Sequence, residues 1–377
     1  MTSADRLSDI VAREADGATD FAALTEACEG AWPEHIRDVL AQRDDEDAKR
    51  LMASVAAPSR RIASDRRLPL PHPLDADWRF TRETAGRVLD LILNTTPATS
   101  DVLLIAMPTV ALAAHDRGLS HRIVVASRDH DPVDDALKVA MPSCRFARLR
   151  ELPPAAFATV AIDPPWYDDV ATPLIETGFG AIDTGGQMFI CAPDRLTRTS
   201  AAHRLSALTT NPEALGFSNA ETITRLRYAT PFFEMRCLEA LGLTNVSPSW
   251  RTGFLLTCTP AERRLTRPRS CAPIVAEWQE LLHGPIRIWI RSRPAPDTGA
   301  TVTVTVGRSI SRTDPTRDIA GLWTSGNTVA TRIGAVARGA IQQTLENPKI
   351  DKDTWRKALN IAVEDELAAI KRGVEFF

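Results

Sequence analysis

The sequence predicts an α/β fold in which helices cover both faces of a parallel sheet, with a helical segment before it and an α+β module after it. Short, fully apolar runs alternate with helical patterns, as in parallel strands that are buried on both faces. One such run, 158–162, ends directly on the turn Asp163-Pro164-Pro165-Trp166. The chain of 377 residues exceeds one compact core, so we expect a main domain of about 180 residues with flanking modules.

Composition places the chain among ordinary globular proteins, with 44% hydrophobic and 25% charged residues. No apolar run approaches the roughly 20 residues that cross a bilayer, and the first residues lack the apolar core of a signal peptide. We therefore expect a cytoplasmic protein with no membrane partner. The net charge of −3 neither demands nor excludes nucleic acid. The six cysteines are scattered without a C-x-x-C pair, so we expect neither disulfides nor a metal site.

The first 58 residues predict three short helices, because apolar residues recur at helical spacing. Residues 59–77 are basic and rich in proline, which favours a linker. The main domain is predicted over 78–262, where Thr81 caps the first helix. Its other predicted elements are strands at 102–105, 123–126, around 146, 158–162, 187–191, 222–228 and 251–258, and helices at 110–115, 133–139, 172–177 and 232–241. The turn 183–186 is expected to lead into the strand at 187.

Residues 263–377 predict a hairpin followed by helices. Isoleucines alternate in one arm of the segment 285–308 and valines in the other, which is typical of paired strands. A helix is expected from about Thr328, and a last helix with an Asp353 cap carries one apolar stripe as far as Val374. We expect the stripe to pack on the body of the protein, with a protein partner of the N-terminal or C-terminal module as the alternative. Arg287, Arg291 and Arg293 are expected to be solvated, with an anion-binding face as the alternative.

The turn that begins at Asp163 is the main candidate site, because ligands of doubly wound sheets collect at the carboxyl ends of strands. The Asp163 carboxylate can accept a hydrogen bond from an amino group, and the carbonyl of Pro164 can accept another. Pro165 stiffens the turn, and Trp166 or Tyr167 offers a flat surface for stacking a planar base. Such contacts orient a nitrogen lone pair by positioning alone. We predict Asp163 to Trp166 as catalytic and Tyr167 as substrate-binding.

These four residues resemble the Asp/Asn-Pro-Pro-aromatic motif of amino-group methyltransferases that act on adenine or cytosine. Phe80-Thr81 is similar to the Phe-Thr-Pro segment found ahead of the cofactor loop in such enzymes. The resemblance covers about residues 78 to 260 and implies a Rossmann-like, class I S-adenosylmethionine-dependent fold. It also implies a nucleobase amino group in DNA or RNA as the methyl acceptor, and a base in a duplex would have to be flipped out.

The resemblance implies S-adenosylmethionine as the cofactor and places these residues around it: Phe80, Thr81, Ala106, Met107, Thr109, Ser127 and Asp129. Two features depart from the family pattern. The turn after the first strand reads Ala106-Met107-Pro108-Thr109 where glycines are usual. Ser127 stands where an acidic residue normally closes the second strand, and Asp129 follows two residues later.

These departures leave two alternatives open beside the methyltransferase. A domain whose cofactor pocket has decayed would serve as a scaffold that binds a nucleotide or a partner protein. A Met107 side chain that fills the adenosine space would favour this scaffold. The segment 78–191 also resembles branched-chain polyamine synthases, in which an Asp-Pro-Pro-Tyr motif holds an amine and the donor supplies an aminopropyl group.

Overall fold

A computed structural model describes residues 3–58, 61–74, 77–127, 132–194, 196–197, 217–260, 278–291, 303–305, 317, 320–330 and 363–377. The chain divides into two compact units. The first comprises Met1–Ala57, Trp78–Thr230 and Asn245–Pro273, and the second comprises Pro58–Asp77, Pro231–Thr244 and Ile274–Phe377. In the described part of the chain, no helix is both long and apolar enough to cross a membrane.

The chain begins with four helices, one more than predicted: α1 (Ser3–Glu14), α2 (Phe21–Ala27), α3 (Pro33–Leu40) and α4 (Glu46–Ser54). The side chains of Asp20 and Asp45 cap α2 and α4 by accepting hydrogen bonds from backbone N–H groups. The amide of Ser247 donates to Thr25 Oγ1 over 3.0 Å, which joins these helices to the rest of the first unit. Strand β1 (Ile62–Ser64) follows and belongs to the second unit.

An eight-stranded sheet forms the body of the first unit. Its strands are β2 (Arg79–Phe80), β3 (Val102–Ile105), β4 (Ile123–Ser127), β5 (Arg145–Arg148), β6 (Phe157–Ile162), β7 (Ile182–Pro193), β8 (Phe217–Ala229) and β9 (Arg251–Pro260). The intervening helices are α5 (Arg82–Thr95), α6 (Pro108–Asp116), α7 (Pro132–Ala140) and α8 (Asp168–Ala181). The strand order is β2-β8-β9-β7-β6-β3-β4-β5.

Strands β3 to β7 are parallel, and their order reverses at β3, as in doubly wound folds. Strand β9 is antiparallel and lies between β7 and β8. The predicted Rossmann-like fold is therefore confirmed. The strand β3 is buried along its whole length, and each such apolar side chain contributes about 1.5–3 kcal/mol. Ile105 aligns with Ala126 on one side and Ile162 on the other, so these three strands end at the same edge.

The predicted turn at 183–186 lies inside β7. Phe157 pairs with Ile182 and Thr159 pairs with Gln187, so the extra residues of β7 form an irregular stretch between two paired regions. Gly185 has φ of 80° there, a conformation that favours glycine. The other strands predicted in this domain are confirmed, and the Thr81 cap on α5 is confirmed as well.

The second unit contains a five-stranded antiparallel sheet. Its strands are β10 (Trp278–His283), β11 (Ile286–Arg291), β12 (Thr303–Thr305), β13 (Leu322–Thr324) and β14 (Thr328–Ala330), in the order β10-β11-β13-β14-β12. Helices α9 (Phe232–Ala240) and α10 (Val363–Gly373) complete it with β15 (Val374–Phe376), which pairs with β1 in parallel. Ile286, Ile288 and Ile290 form its core with Phe232 and Ile370.

Several expectations for the C-terminal module are wrong. Strand β11 forms its hairpin with β10, across a turn at Gly284, instead of with the valine-rich arm. Residues 328–330 form a strand in place of a helix, and Val374 lies in β15 because α10 ends at Gly373. Asp353 and Arg293 lie outside the described residues.

Two further expectations differ in burial. The proposed linker contains β1 and the buried side chains of Leu68 and Leu70. Arg287 is also buried, with 1% of its surface exposed, and its guanidinium pairs with Glu280 within the second unit. Its burial and its carboxylate partner explain why the expectation of a solvated arginine fails.

Candidate functional site

Asp163 lies at the carboxyl end of β6, beside the end of β3. Its amide donates a hydrogen bond to the carbonyl of Ile105 over 3.1 Å. Ile105 is the last residue of β3, and Ala106 follows it directly. The amine motif and the predicted cofactor turn are therefore adjacent in space. Asp163 itself is buried, with 9% of its surface exposed.

The Tyr228 hydroxyl donates a hydrogen bond to Asp163 Oδ1 over 3.0 Å. Cross-strand pairing places Tyr228 of β8 between Phe80 of β2 and Arg251 of β9, and paired residues share one face of a sheet. A Cβ on Gly253 would lie 3.2 Å from Tyr228 Cε2 and 2.7 Å from a backbone oxygen. Glycine at this position therefore permits the close packing around the ring.

Burial raises the pKa of Tyr228 well above its usual value, and the negative charge of Asp163 raises it further. The phenol therefore stays protonated and remains a donor. Burial also raises the pKa of the neighbouring Cys191 thiol, again with a smaller contribution from Asp163. Asp163 thus accepts a hydrogen bond from a neutral phenol.

Trp166 packs among aromatic side chains. Its ring stacks on that of Trp78, with centroids 5.3 Å apart and planes inclined by 27°. It also meets Tyr228 edge-on, with centroids 5.2 Å apart. Trp166 has 7% of its surface exposed, whereas Tyr167, the N-cap of α8, is half-buried. Of the two aromatic residues predicted to stack on a substrate, Tyr167 is the more accessible.

The predicted cofactor turn adopts a shape that glycine normally supplies. Ala106 is exposed and has φ of 55°, in the left-handed region. Met107 is buried and is the N-cap of α6. The hydroxyl oxygen of Thr109 is buried and has no hydrogen-bond partner among the described residues. The turn therefore presents backbone and one buried hydroxyl at the end of β3.

The remaining predicted cofactor residues divide into three groups. Phe80 packs on Tyr228, with ring centroids 4.8 Å apart. Thr81 caps α5, because its hydroxyl oxygen accepts a hydrogen bond from the amide of Thr84. Ser127 ends β4 at the same edge as Ala106, and its hydroxyl lies 3.5 Å from the carbonyl of Ala147. Asp129 lies outside the described residues. Within the described ranges, no group of three acidic, histidine or cysteine side chains could hold a metal.

Solved structures that resemble the chain include the following three. One is a branched-chain polyamine synthase mutein from Thermus thermophilus in complex with N4-aminopropylspermidine and 5′-methylthioadenosine. It is 17% identical to this chain, the match covers 71% of this chain and 90% of the synthase chain, and the TM-score is 0.49. A 16S rRNA N2 methyltransferase of Thermus thermophilus is 12% identical to this chain. The match covers 63% of this chain and 57% of the methyltransferase chain, with a TM-score of 0.31. The YcgJ protein of Bacillus subtilis has 13% identity, with 48% and 100% coverage and a TM-score of 0.33. No family model and no curated protein matches the chain.

Sequence reasoning missed Tyr228 and Trp78 as parts of this site. Tyr228 lies 65 residues from Asp163 in the chain, and nothing in its local sequence indicates the pairing. Trp78 lies two residues before Phe80, so the alternation of side chains in an extended segment was a usable signal. An aromatic residue on the same face as Phe80 would have been expected near the motif.

Proposed function

We propose that the chain transfers a methyl group from S-adenosylmethionine to an exocyclic amino group, with a nucleobase of DNA or RNA as the acceptor. The observation that carries the proposal is the 3.1 Å hydrogen bond between the Asp163 amide and the Ile105 carbonyl. It places the amine motif directly beside the turn that begins at Ala106. Group transfer requires such proximity of acceptor and donor.

The residues at the end of β3 fit an adenosyl cofactor. Ala106 carries only a methyl side chain and adopts a left-handed conformation, so backbone is accessible at this point. The buried Thr109 hydroxyl lacks a partner among the described residues and would gain one from a polar ligand. Ser127 ends the neighbouring strand, and Asp129 follows it. We assign both of them to the ribose hydroxyls of the cofactor.

In this proposal the cofactor supplies an electrophilic methyl group, and the protein positions the amine. The Asp163 carboxylate and the Pro164 carbonyl accept the two N–H groups of the acceptor, which directs its lone pair toward the methyl. Tyr228 holds one oxygen of Asp163 and so fixes the direction of the carboxylate. Tyr167 provides the stacking surface for the base.

Aminopropyl transfer to an amine is a second candidate, and the position of Trp166 favours it. Trp166, the aromatic residue of the motif, is buried and its ring contacts Trp78 and Tyr228. In this candidate function the ring packs against the protein and does not stack on a substrate. An aliphatic amine would need no stacking surface. Burial of Met107 is the observation that favours a scaffold without turnover.

Calorimetric titration with S-adenosylmethionine and S-adenosylhomocysteine tests the cofactor. We expect micromolar binding for the native chain and for Asp163→Ala, because Asp163 faces the acceptor in this proposal. A transfer assay then tests the acceptor. The donor is S-adenosylmethionine labelled in its methyl group or decarboxylated S-adenosylmethionine labelled in its aminopropyl group, and the acceptors offered are nucleosides, RNA, DNA and spermidine. Asp163→Ala should abolish transfer, whereas the exposed control Asp183→Ala should retain it.

The outcomes separate the candidates. Labelled nucleobase supports the methyltransferase, and transfer to spermidine only from decarboxylated S-adenosylmethionine supports the aminopropyltransferase. Tight cofactor binding without any transfer supports a scaffold. No binding of either adenosyl compound at millimolar concentration would contradict the proposal.

A further inference from the structure

Two aromatic side chains of one short segment are linked to the two ends of the amine motif, Asp163 and Trp166. Phe80, in β2, pairs across the sheet with Tyr228 of β8, and their ring centroids lie 4.8 Å apart. Trp78 lies two residues earlier in the chain, and its ring stacks on that of Trp166 with centroids 5.3 Å apart. A single segment of the chain therefore supplies both contacts.

The contacts end on groups that the proposed reaction uses. The Tyr228 hydroxyl donates to Asp163 Oδ1 over 3.0 Å, and the Tyr228 ring meets Trp166 edge-on, with centroids 5.2 Å apart. Phe80 has 3% of its surface exposed and Tyr228 has 1%. Closely packed interiors transmit displacements from one side chain to the next. Loss of the ring of Phe80 or Trp78 should therefore displace the ring that it contacts.

The segment is held by contacts on both sides of Phe80. The amide of Thr81 donates to the carbonyl of Arg227 over 3.1 Å, and the Thr81 side chain caps α5. Before β2, the Arg251 guanidinium carbon lies 4.7 Å from the centroid of the Trp78 ring, within the range of a cation–π attraction. These contacts come from β8, α5 and β9, so the segment is fixed to the framework of the first unit.

We propose that Phe80 and Trp78 are positioning residues of the amine motif. Phe80 fixes the ring of Tyr228 and, through the phenol, the Asp163 carboxylate, while Trp78 fixes the ring of Trp166. Phe80 thereby has a role other than the cofactor contact that the family resemblance implies. The inference rests on the proposed function, in which Asp163 orients the acceptor amine. A displacement of about 1 Å can lower the rate of such a reaction by as much as about a hundredfold.

The ionisation of Tyr228 tests the contact with Phe80 without any assay of activity. The chain has two tyrosines, so tyrosine labelled at Cζ gives two nuclear magnetic resonance signals, and Tyr167→Phe identifies them. Burial and the Asp163 charge raise the pKa of Tyr228 in the native chain. Phe80→Leu should lower the pH at which the folded chain shows phenolate at Tyr228, because a displaced ring is better hydrated and farther from that charge.

The matched control is Phe157→Leu, which replaces another buried phenylalanine of the same sheet at the start of β6. It should leave the titration of Tyr228 as in the native chain, and thermal melts show that each variant is folded. In the transfer assay, Phe80→Leu and Trp78→Leu should each lower kcat by about tenfold or more, with native affinity for S-adenosylhomocysteine. Trp78→Phe keeps a ring against Trp166 and should recover most of the rate, and Phe157→Leu should retain it.

The outcomes separate positioning from the alternatives. Weaker binding of S-adenosylhomocysteine by Phe80→Leu, with Tyr228 titrating as in the native chain, would assign Phe80 to the cofactor and overturn the proposal. An equal loss of rate in Phe157→Leu, or full transfer by Phe80→Leu, would overturn it as well. If the native chain transfers no group to any acceptor, the proposed function fails, while the titration of Tyr228 still decides whether Phe80 positions the phenol.

Discussion

Replacing Tyr228 with phenylalanine should destabilise the first unit and expose the role of the phenol. The substitution removes the hydroxyl that donates to Asp163 over 3.0 Å and keeps the ring that packs on Phe80 and Trp166. A hydrogen bond to a charged group contributes about 1.5–3 kcal/mol, and the Tyr228 side chain is buried, with 1% of its surface exposed. At roughly 2–4 °C per kcal/mol, the melting temperature should fall by about 3–12 °C.

Differential scanning calorimetry measures the loss, and Tyr167→Phe is the natural control. These are the only two tyrosines in the chain, and Tyr167 is half-buried at the start of α8. Because Tyr167 is half-buried, solvent can replace a hydrogen bond that its hydroxyl loses, so the control should lose less stability. Equal losses in the two variants would refute the assignment of a special role to the Tyr228 hydroxyl.

The same variant has a pH signature. Burial and the Asp163 charge raise the pKa of Tyr228 above its ordinary value of 10.0, so its contribution to stability is complete below that pH and is lost as pH rises through the folded pKa. Tyr228→Phe should flatten the alkaline loss of stability. Phenolate absorbance of the folded chain should reach at most one tyrosine, with the second appearing on unfolding. Ionisation of both tyrosines in the folded state would contradict the burial argument.

Three further substitutions give measurable expectations. Ala106 and Ala155 both adopt a left-handed conformation, with φ of 55° and 50°. Ala106→Gly and its control Ala155→Gly should therefore each stabilise the chain by about 1 kcal/mol in calorimetry. Only Ala106→Gly should change the affinity for S-adenosylmethionine. Burial raises the pKa of Glu366 above its usual value of 4.5, so the second unit loses stability as the pH rises from 4.5 through the pKa of the folded state. Glu366→Gln should remove this dependence of the melting temperature on pH in melts between pH 4 and 8. Thr81→Ala removes the cap of α5 and should cost about 1 kcal/mol in denaturant unfolding.

The parallel strands of the first unit could be predicted from sequence because short apolar runs indicate them. Strand β3 is buried at all four positions, and its apolar character needs no partner to be recognised. The placement of β9 between β7 and β8 has no such local sign, since strand order depends on how distant segments pack. The fold class was therefore accessible from sequence, while the order of its last strands was not.

The C-terminal hairpin differs, because its local sequence contains a turn signal that indicates the correct pair of strands. Gly284-Pro285 separates the two strands that pair, and a glycine followed by a proline commonly marks a turn. The alternating valines at 302–306 resembled a partner equally well, because alternation indicates a strand without indicating its neighbour. Within the candidate site, Asp163 was found from its position after a strand, but its partner Tyr228 depends on tertiary packing.

The N-terminal helices form hydrogen bonds with residues 245 and 247, which are synthesised much later, and this has a consequence for folding during translation. The carbonyl of Val55 accepts from the amide of Asn245, and Thr25 accepts from the amide of Ser247. Asn245 and Ser247 follow these partners in the chain by about 190 and 220 residues, which at 5–20 residues per second is on the order of 10–45 s of synthesis. During that interval the nascent helices carry apolar side chains, such as Phe21 and Leu24, that are buried in the finished protein. Chaperones and the rate of translation should therefore affect the yield of folded chain.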